Sequence, residues 1–257
     1  MLASSTPDAL WSAPSARVLR PSAVSCTDVT RGSLLSRCSI RVPVGMRLLV
    51  VGEPEESASA LLRVLAGLSS PGRGRVEIAG LRDPSAEGWG RRIAHLGPEP
   101  GIPRWMTPTE AMTLAAGLLE LPAAEAARRI GRALAWARVS AEVRDRPIRR
   151  GGPPLIQRVG LAAALIADPE VLLLDEPLRA LEADERFRLL RLPGKRRTIL
   201  LASRYPASEK GLATHVALLR GGRIHLLTRL AELEAAGLPL SMKGIGVLAD
   251  LRAAAPR

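Results

Sequence analysis

The sequence predicts an α/β protein whose core is a mostly parallel β-sheet, and three observations lead to this prediction. Two short segments, 47–51 with four consecutive apolar residues after Arg47 and the wholly apolar 171–174, are typical of strands that are buried on both faces, as in parallel sheets. Segments with a helical spacing of apolar residues, such as 61–68 and 155–167, alternate with these runs. Finally, 47% of the 257 residues are hydrophobic, so the chain can bury a substantial core.

The second apolar run ends in two adjacent carboxylates, Asp175 and Glu176. Open α/β sheets bind their ligands at the carboxyl ends of the strands, which is where we expect these two side chains. An Asp at this point can hold Mg²⁺, and the neighbouring Glu can polarise a water molecule. The alternative is structural, with the pair serving as helix N-cap and turn residue.

The first half of the chain contains the pattern of a phosphate-binding loop. The run at 47–51 ends at Gly52, and a polar stretch leads from there to the helix at 61–68. Strand, glycine, polar loop and helix are the context that such a loop requires. Residues 1 to about 20 are rich in Ser, Pro and Ala without periodicity, so we predict a disordered extension there. Other strands are predicted at 23–30, 38–42, 75–79 and 93–96.

A helical insertion at 105–150 interrupts the strands. Thr107 is the predicted N-cap of its first helix, Pro108 occupies the first helical position, and Glu110 completes a capping box. Pro122 opens a second helix. The later elements predicted are helices at 155–167 and 179–191, strands at 198–202 and 216–219, and a hairpin turn at Gly221-Gly222. The tail after about residue 240 has no clear pattern.

Composition limits the class of protein and the compartment. No apolar run is long enough to span a bilayer, and no basic segment precedes an apolar one at the N-terminus, so we expect a cytoplasmic chain without a signal peptide. The two cysteines, Cys26 and Cys38, are expected to be core thiols. The net charge of +12 could favour anionic membranes or nucleic acid, but an arginine-rich composition explains it as well, and we do not expect nucleic acid as a partner.

Three blocks of sequence closely resemble the ATP-binding cassette of ABC transporters. The block at 157–177 matches the family's segment from signature helix to Walker B almost position by position, 61–68 matches the helix after Walker A, and 216–224 matches the late hairpin. The resemblance covers about residues 23–232. It implies a P-loop NTPase-like cassette with an antiparallel β subdomain and a helical insertion. The implied division is an extension at 1–20, β subdomain and first half of the core at 21–104, helical subdomain at 105–152, second half of the core at 153–232, and a tail at 233–257.

The Walker A position departs from the family's pattern, Gly-x-x-Gly-x-Gly-Lys-Ser/Thr-Thr. The second and third glycines are replaced by Glu55 and Ser57, and Ala58 stands where the lysine reaches the phosphates. Ser59 stands at the position whose hydroxyl meets Mg²⁺. No shift of register restores the lysine, because the first lysine of the chain is Lys195. The aligned residues are Gly52, Glu53, Pro54, Glu55, Glu56, Ser57, Ala58, Ser59 and Ala60.

Other motifs of the family are also altered. The family's signature reads Leu-Ser-Gly-Gly-Gln. An ungapped alignment places at this position Gly151, Gly152, Pro153, Pro154 and Leu155. With a two-residue insertion, Gly151 and Gly152 would instead align with the two glycines of the signature. The prolines have no N–H to offer a γ-phosphate, although a helix's first turn tolerates them. The metal-touching glutamine of the Q-loop aligns with Pro98, and the switch histidine aligns with Arg204.

These departures predict a degenerate cassette subunit that works with a membrane permease, with weak or absent ATP binding and hydrolysis. In this context the structural interpretation of Asp175 and Glu176 is favoured. ATP and Mg²⁺ are the cofactors that the resemblance implies. The implied partners are a permease subunit and a second cassette, at the inner face of the cell membrane. The alternatives are a working ATPase with an atypical site and a basic scaffold without a role in transport.

Overall fold

The computed structural model describes residues 21–182, 185–186 and 197–255. The predicted disordered extension at 1–20 lies outside the described residues, as does most of the helix predicted at 179–191. Glu185 and Arg186 are helical. Arg179 and Ala180 form a turn, so the prediction that this helix begins at residue 179 is wrong.

The strands and helices of the described residues follow the predicted order. The strands are β1 (Ser22–Arg31), β2 (Leu35–Pro43), β3 (Arg47–Glu53), β4 (Arg73–Ile78), β5 (Ile93–Leu96), β6 (Val171–Asp175), β7 (Thr198–Ala202), β8 (His215–Arg220) and β9 (Arg223–Arg229). The α-helices are α1 (Glu56–Leu65), α2 (Trp89–Arg92), α3 (Pro108–Leu118), α4 (Ala123–Trp136), α5 (Ala141–Arg144), α6 (Gly152–Ile166), α7 (Leu230–Ala235) and α8 (Met242–Ala254). Short 3-10 helices lie at Ile148–Gly151 and Pro206–Glu209.

Two sheets confirm the predicted fold class. The central sheet has the order β5-β6-β7-β3-β8-β9, in which the first five strands are parallel and β9 pairs with β8 in the antiparallel direction. A second, antiparallel sheet has the order β2-β1-β4. In the parallel part, the carboxyl ends of β3, β6 and β7 meet at one edge, which brings together the residues that follow them.

The central sheet is buried on both faces, as its unbroken apolar runs predict. On β3, Leu48 and Val50 belong to the core that includes α1 and the antiparallel sheet, whereas Leu49 and Val51 belong to the core that includes α6, α7 and α8. All four side chains are fully buried. Alternation of side chains along a strand explains this division.

The helices between β5 and β6 form a third apolar cluster of their own, built from α3, α4 and α6. The predicted capping box starts α3: the Glu110 N–H donates to Thr107 Oγ1 at 3.1 Å, and the Thr107 N–H donates to Glu110 Oε2 at 2.8 Å. Helix α4 follows Pro122 directly. Among the described residues, no helix combines the length and the apolar composition that crossing a bilayer requires.

Two helices begin earlier than the sequence predicts. Helix α1 begins at Glu56 rather than at residue 61, so much of the predicted polar loop is helical. Helix α6 begins at Gly152 rather than at residue 155, with Pro153 and Pro154 in its first turn. Proline is tolerated there because the N–H groups of a first turn have no partner within the helix.

Candidate nucleotide-binding site

The segment after β3 is a tight turn, with two residues between the strand and α1. The Ser57 N–H donates to the carbonyl oxygen of Pro54 at 3.0 Å, and the Ala58 N–H donates to that of Glu55 at 3.4 Å. The Ser57 hydroxyl also donates to the Pro54 carbonyl, at 2.6 Å. A phosphate-binding loop aims such N–H groups at its anion. Here they are used inside the turn.

Little space remains at the phosphate position. A Cβ atom on Gly52 would lie 2.5 Å from Ser57 Oγ and 2.9 Å from the Ala58 nitrogen, so the turn folds directly over this glycine. The cavity between the turn and the ends of β6 and β7 has a volume of about 10 Å³. That is about the space of one water molecule. Its lining includes Ser59, Glu176 and Arg204.

Ser59 and Asp175 form a hydrogen-bonded pair across this site. The Ser59 hydroxyl donates to Asp175 Oδ1 at 2.9 Å, which ties α1 to the end of β6. Asp175 is only 2% exposed. Burial raises the pKa of its carboxyl group, whereas the hydrogen bond from Ser59 lowers it. These two residues occupy the positions at which the family resemblance expects magnesium ligands.

Glu176 pairs with Arg204, the residue at the predicted switch position. Glu176 Oε1 accepts hydrogen bonds from the Arg204 backbone N–H at 2.8 Å and from Arg204 Nε at 3.3 Å. Arg204 Nε also lies 3.8 Å from Glu55 Oε2. Glu176 is buried and sits in a turn with a φ of 50°, so its carboxylate is held toward Arg204. The guanidinium thus links the turn after β3 to the end of β6.

The other end of the turn is held by the C-terminal part of the chain. Arg220 Nε donates to Glu53 Oε2 at 2.5 Å, and Arg220 Nη1 donates to Asp250 Oδ1 at 2.8 Å. Asp250 lies on α8, and Met242 at the start of the same helix lines the small cavity. Sequence reasoning missed Met242 and Asp250, because the tail after residue 240 has no recognisable motif.

A second group of predicted residues lies together elsewhere. Pro98, at the Q-loop position, and Pro153, at the signature position, line one groove of about 580 Å³ with Arg179. Gln157 also lines it, and its Nε2 donates to the Pro177 carbonyl at 2.8 Å. The α6 helix is therefore tied to the turn after Asp175 and Glu176.

The residues at the phosphate position do not fit a nucleotide. The turn uses its own N–H groups, the residue at the lysine position is Ala58, and the cavity has about 10 Å³. For magnesium, the hydroxyl of Ser59 and the carboxylate of Asp175 are oxygen ligands of the right kind, but they bond to each other. No group of three or more His, Cys, Asp or Glu side chains with the arrangement of a metal site occurs in the residues described.

This fold is that of a cassette-type nucleotide-binding protein, and comparisons with known proteins identify the family. A family model described as ABC transporter matches residues 35–179, more than half of the chain. The chain belongs to the ABC transporter family, and the part that it represents is the ATP-binding cassette. The altered motifs therefore lie within a true family member.

Two curated relatives illustrate the similarity. An uncharacterized ABC transporter ATP-binding protein of Nostoc sp., all4389, is 31% identical over 206 residues, which cover 77% of this chain and 61% of that relative. The match thus spans less than two thirds of the relative's length. The aliphatic sulfonates import ATP-binding protein SsuB of Corynebacterium glutamicum is 33% identical over 201 residues, which cover 76% of this chain and 78% of SsuB.

Solved structures support the same fold. A structure described as the ATP binding subunit of an ABC transporter superposes with a TM-score of 0.73 at 23% identity, covering 88% of this chain and 99% of that one. A dimeric structure of the ATP-binding cassette MJ0796 bound to ADP and Pi gives a TM-score of 0.69 at 17% identity, covering 80% and 98%.

Proposed function

We propose that this chain is an ABC transporter cassette subunit that binds and hydrolyses ATP weakly or not at all and acts by docking on a membrane permease. The observation that carries the proposal is the closed turn after β3. Its N–H groups at Ser57 and Ala58 are bonded to carbonyl groups of the same turn. Binding a polyphosphate there requires these bonds to break and the turn to open.

The charges around the turn support the same conclusion. Glu55 and Glu176 both face the Arg204 guanidinium, which is a cation at this point of the site. A triphosphate would have to compete with two carboxylates for that cation. In addition, the charge-assisted hydrogen bonds of the missing lysine are worth about 1.5–3 kcal/mol each, and Ala58 cannot replace them.

The partners and location follow from the family. SsuB is named as an import ATP-binding protein, and MJ0796 forms a dimer. We infer that this chain lies at the cytoplasmic face of a membrane, bound to a permease and beside a second cassette. Washed membranes from cells that express the chain with its own permease should retain it. Recovery in the membrane-free fraction alone would contradict the docking role.

Thermal unfolding tests the nucleotide proposal directly. Millimolar Mg-ATP should leave the melting temperature of the wild-type chain unchanged, because the closed turn does not bind it. The measurement is sensitive enough, since a ligand at 100 times its dissociation constant stabilises a protein by about 2.7 kcal/mol. A magnesium-dependent rise for the wild type would refute the proposal. It would favour the alternative, a working ATPase that uses the Ser59–Asp175 pair.

A repaired variant makes the negative result informative. The triple substitution Glu55→Gly, Ser57→Gly and Ala58→Lys returns the glycines and the lysine of the family's pattern. We expect Mg-ATP to raise the melting temperature of this variant, because glycines allow the open loop and lysine contributes charge-assisted hydrogen bonds. Circular dichroism checks that the variant folds. An equal response of wild type and variant would show that the turn does not determine binding.

A further inference from the structure

A separate pocket lies between α4 and the end of α6, near the amino ends of β6 and β7, whereas the closed turn lies at the carboxyl ends of the strands. Asp168 and Arg197 border it, and they precede β6 and β7 respectively, whereas Asp175 is the last residue of β6 and Glu176 follows it. The volume of this α4–α6 pocket is about 420 Å³. Pockets for small molecules fall in the range of about 300–1,000 Å³. Neither the altered motifs nor the family match accounts for it.

The inner wall of the pocket is built from two arginines that are fixed in place. Arg129 Nη1 donates to the Ile166 carbonyl at 2.8 Å, and its Nη2 donates to Glu125 Oε1 at 2.5 Å. Arg197 Nε donates to the Pro169 carbonyl at 3.1 Å, and its side chain is 9% exposed. A guanidinium has five N–H donors, so the two bonds of Arg129 leave donors for a further acceptor.

The outer wall is a stripe along α4. Arg128, Arg132 and Trp136 follow each other at intervals of four residues, so they share one face of the helix. Within the described part of the chain, no ion pair or hydrogen bond is formed by the side chains of Arg128 and Arg132. Like charges at this spacing disfavour a helix. An anion between them would remove that repulsion.

Trp136 adds a ring to this arginine wall. It packs against the core on one face of the central sheet and also against the helical cluster, which fixes its position. Indole rings bind planar groups by stacking, so Trp136 suits a ligand that has a ring beside its charge.

Charge and size together define the ligand. The pocket has four arginines and two carboxylates, Glu125 and Asp168, which gives its lining a net charge of +2. A phosphate monoester has a charge of about −1.5 to −2 at neutral pH. We propose that the α4–α6 pocket binds a small phosphate monoester that has a planar ring, with the phosphate between the arginines of α4 and the ring against Trp136.

A simpler explanation accounts for only half of the arginines. Cations at a helix C-terminus are favourable because they neutralise its dipole and bond its last carbonyl groups. Arg129 does this for the Ile166 carbonyl, and Arg197 is held nearby by the Pro169 carbonyl and by an ion pair with Asp168. Arg128 and Arg132 point to no such group in the described residues, and a helix dipole does not require a tryptophan beside them.

Calorimetric titration with phenyl phosphate tests the proposal on the full chain. Phenyl phosphate combines a dianionic phosphate with a ring and is much smaller than ATP. The wild-type chain should bind it saturably at low salt. Inorganic phosphate, which has no ring, and benzenesulfonate, which has one charge, should each bind several-fold more weakly.

The double variant Arg128→Ala, Arg132→Ala should bind phenyl phosphate at least about tenfold more weakly, because charge-assisted hydrogen bonds are lost. The matched control is Arg149→Ala, Arg150→Ala, which removes two exposed arginines outside the pocket and should bind as the wild type does.

Either of two results would overturn the proposal: no saturable binding by the wild type up to about 10 mM, or an equal loss in both variants. Equal affinity for inorganic phosphate would overturn the role of the ring. The outcome is independent of whether the closed turn binds ATP.

Discussion

At the scale of single residues, Glu209 is a buried carboxyl group near the candidate site. It is 2% exposed, and among the described residues its Oε2 atom has no hydrogen-bond partner. Its pKa is raised from 4.5 to about 7, mainly by burial and also by the nearby Glu176 carboxylate, whereas a hydrogen bond with Ser203 opposes this rise. The folded chain therefore keeps this proton over a range in which the unfolded chain has lost it.

This shift predicts how stability depends on pH. Between about pH 4.5 and 7 the folded state binds more protons than the unfolded state, so the contribution of Glu209 to stability falls as pH rises. Glu209→Gln should remove this loss and be more stable than the wild type at pH 8 by up to about 3 kcal/mol, but not at pH 4.5. Urea unfolding at both pH values measures the difference. Glu87→Gln, at an exposed carboxylate, is the control and should change the free energy of unfolding little.

The hydrogen bond between Ser59 and Asp175 also predicts a change in stability. Ser59→Ala should destabilise the chain by about 1–3 kcal/mol, because it leaves a buried carboxylate without this partner. Without this hydrogen bond the pKa of Asp175 rises, so an ionised carboxylate costs the folded state more free energy. The loss of stability should therefore be larger at pH 8 than at pH 5. Ser85→Ala removes a comparable bond, to Asp83 at 2.8 Å on the surface, and should have little effect. Equal effects of the two substitutions in urea unfolding would contradict a structural role for Ser59.

At the scale of elements, local signals predict some boundaries and not others. Thr107 and Glu110 fix the start of α3 because the capping box is formed within four consecutive residues. The start of α1 is different. Its polar residues suggest a loop. However, the N–H groups of Ser57 and Ala58 bond to the carbonyl groups three residues earlier, so these residues form the first turn of the helix. That closure depends on how the strand end faces the helix, which no local pattern encodes.

The close approach of α1 to Gly52 predicts the effect of a single methyl group. Gly52→Ala should destabilise the chain by about 1–3 kcal/mol, because the new Cβ would lie 2.5 Å from Ser57 Oγ and 2.7 Å from the Pro54 carbonyl oxygen. Gly131→Ala is the control: it lies within α4 with no atom within 4 Å of its Cβ position, and it should stabilise by about 0.5–1 kcal/mol. Urea unfolding compares the two. A tolerated Gly52→Ala would mean that the turn can open without strain.

At the scale of the whole molecule, the sequence identifies the fold more readily than the state of the site. Short apolar runs predict the mostly parallel sheet, and the block at 157–177 predicts the family, because both depend on patterns along the chain. The contacts that close the site join distant segments. Arg204 connects Glu55 and Glu176, and Arg220 connects Glu53 and Asp250. Such pairings depend on side-chain positions in three dimensions, which an alignment with the family's motifs does not contain.

The closed turn and the prolines at the start of α6 also predict that ATP does not drive dimerisation of this chain. In the family a nucleotide is held between the Walker A position of one cassette and the signature position of the other. Here the first position is a closed turn, and the second contains Pro153 and Pro154, which have no N–H to donate. Sedimentation velocity with a non-hydrolysable ATP analogue and Mg²⁺ should therefore give the same coefficient for the wild type as without nucleotide.

Repair of one position alone should not change this result, because both halves of the composite site are required. The variant with Glu55→Gly, Ser57→Gly and Ala58→Lys should bind the analogue without dimerising. Adding Gly152→Ser, Pro153→Gly and Pro154→Gly restores a hydroxyl and two N–H donors at the start of α6, and a nucleotide-dependent dimer is then expected. Nucleotide-dependent dimers of the wild-type chain would contradict the prediction, since they would require a composite site that works without these donors.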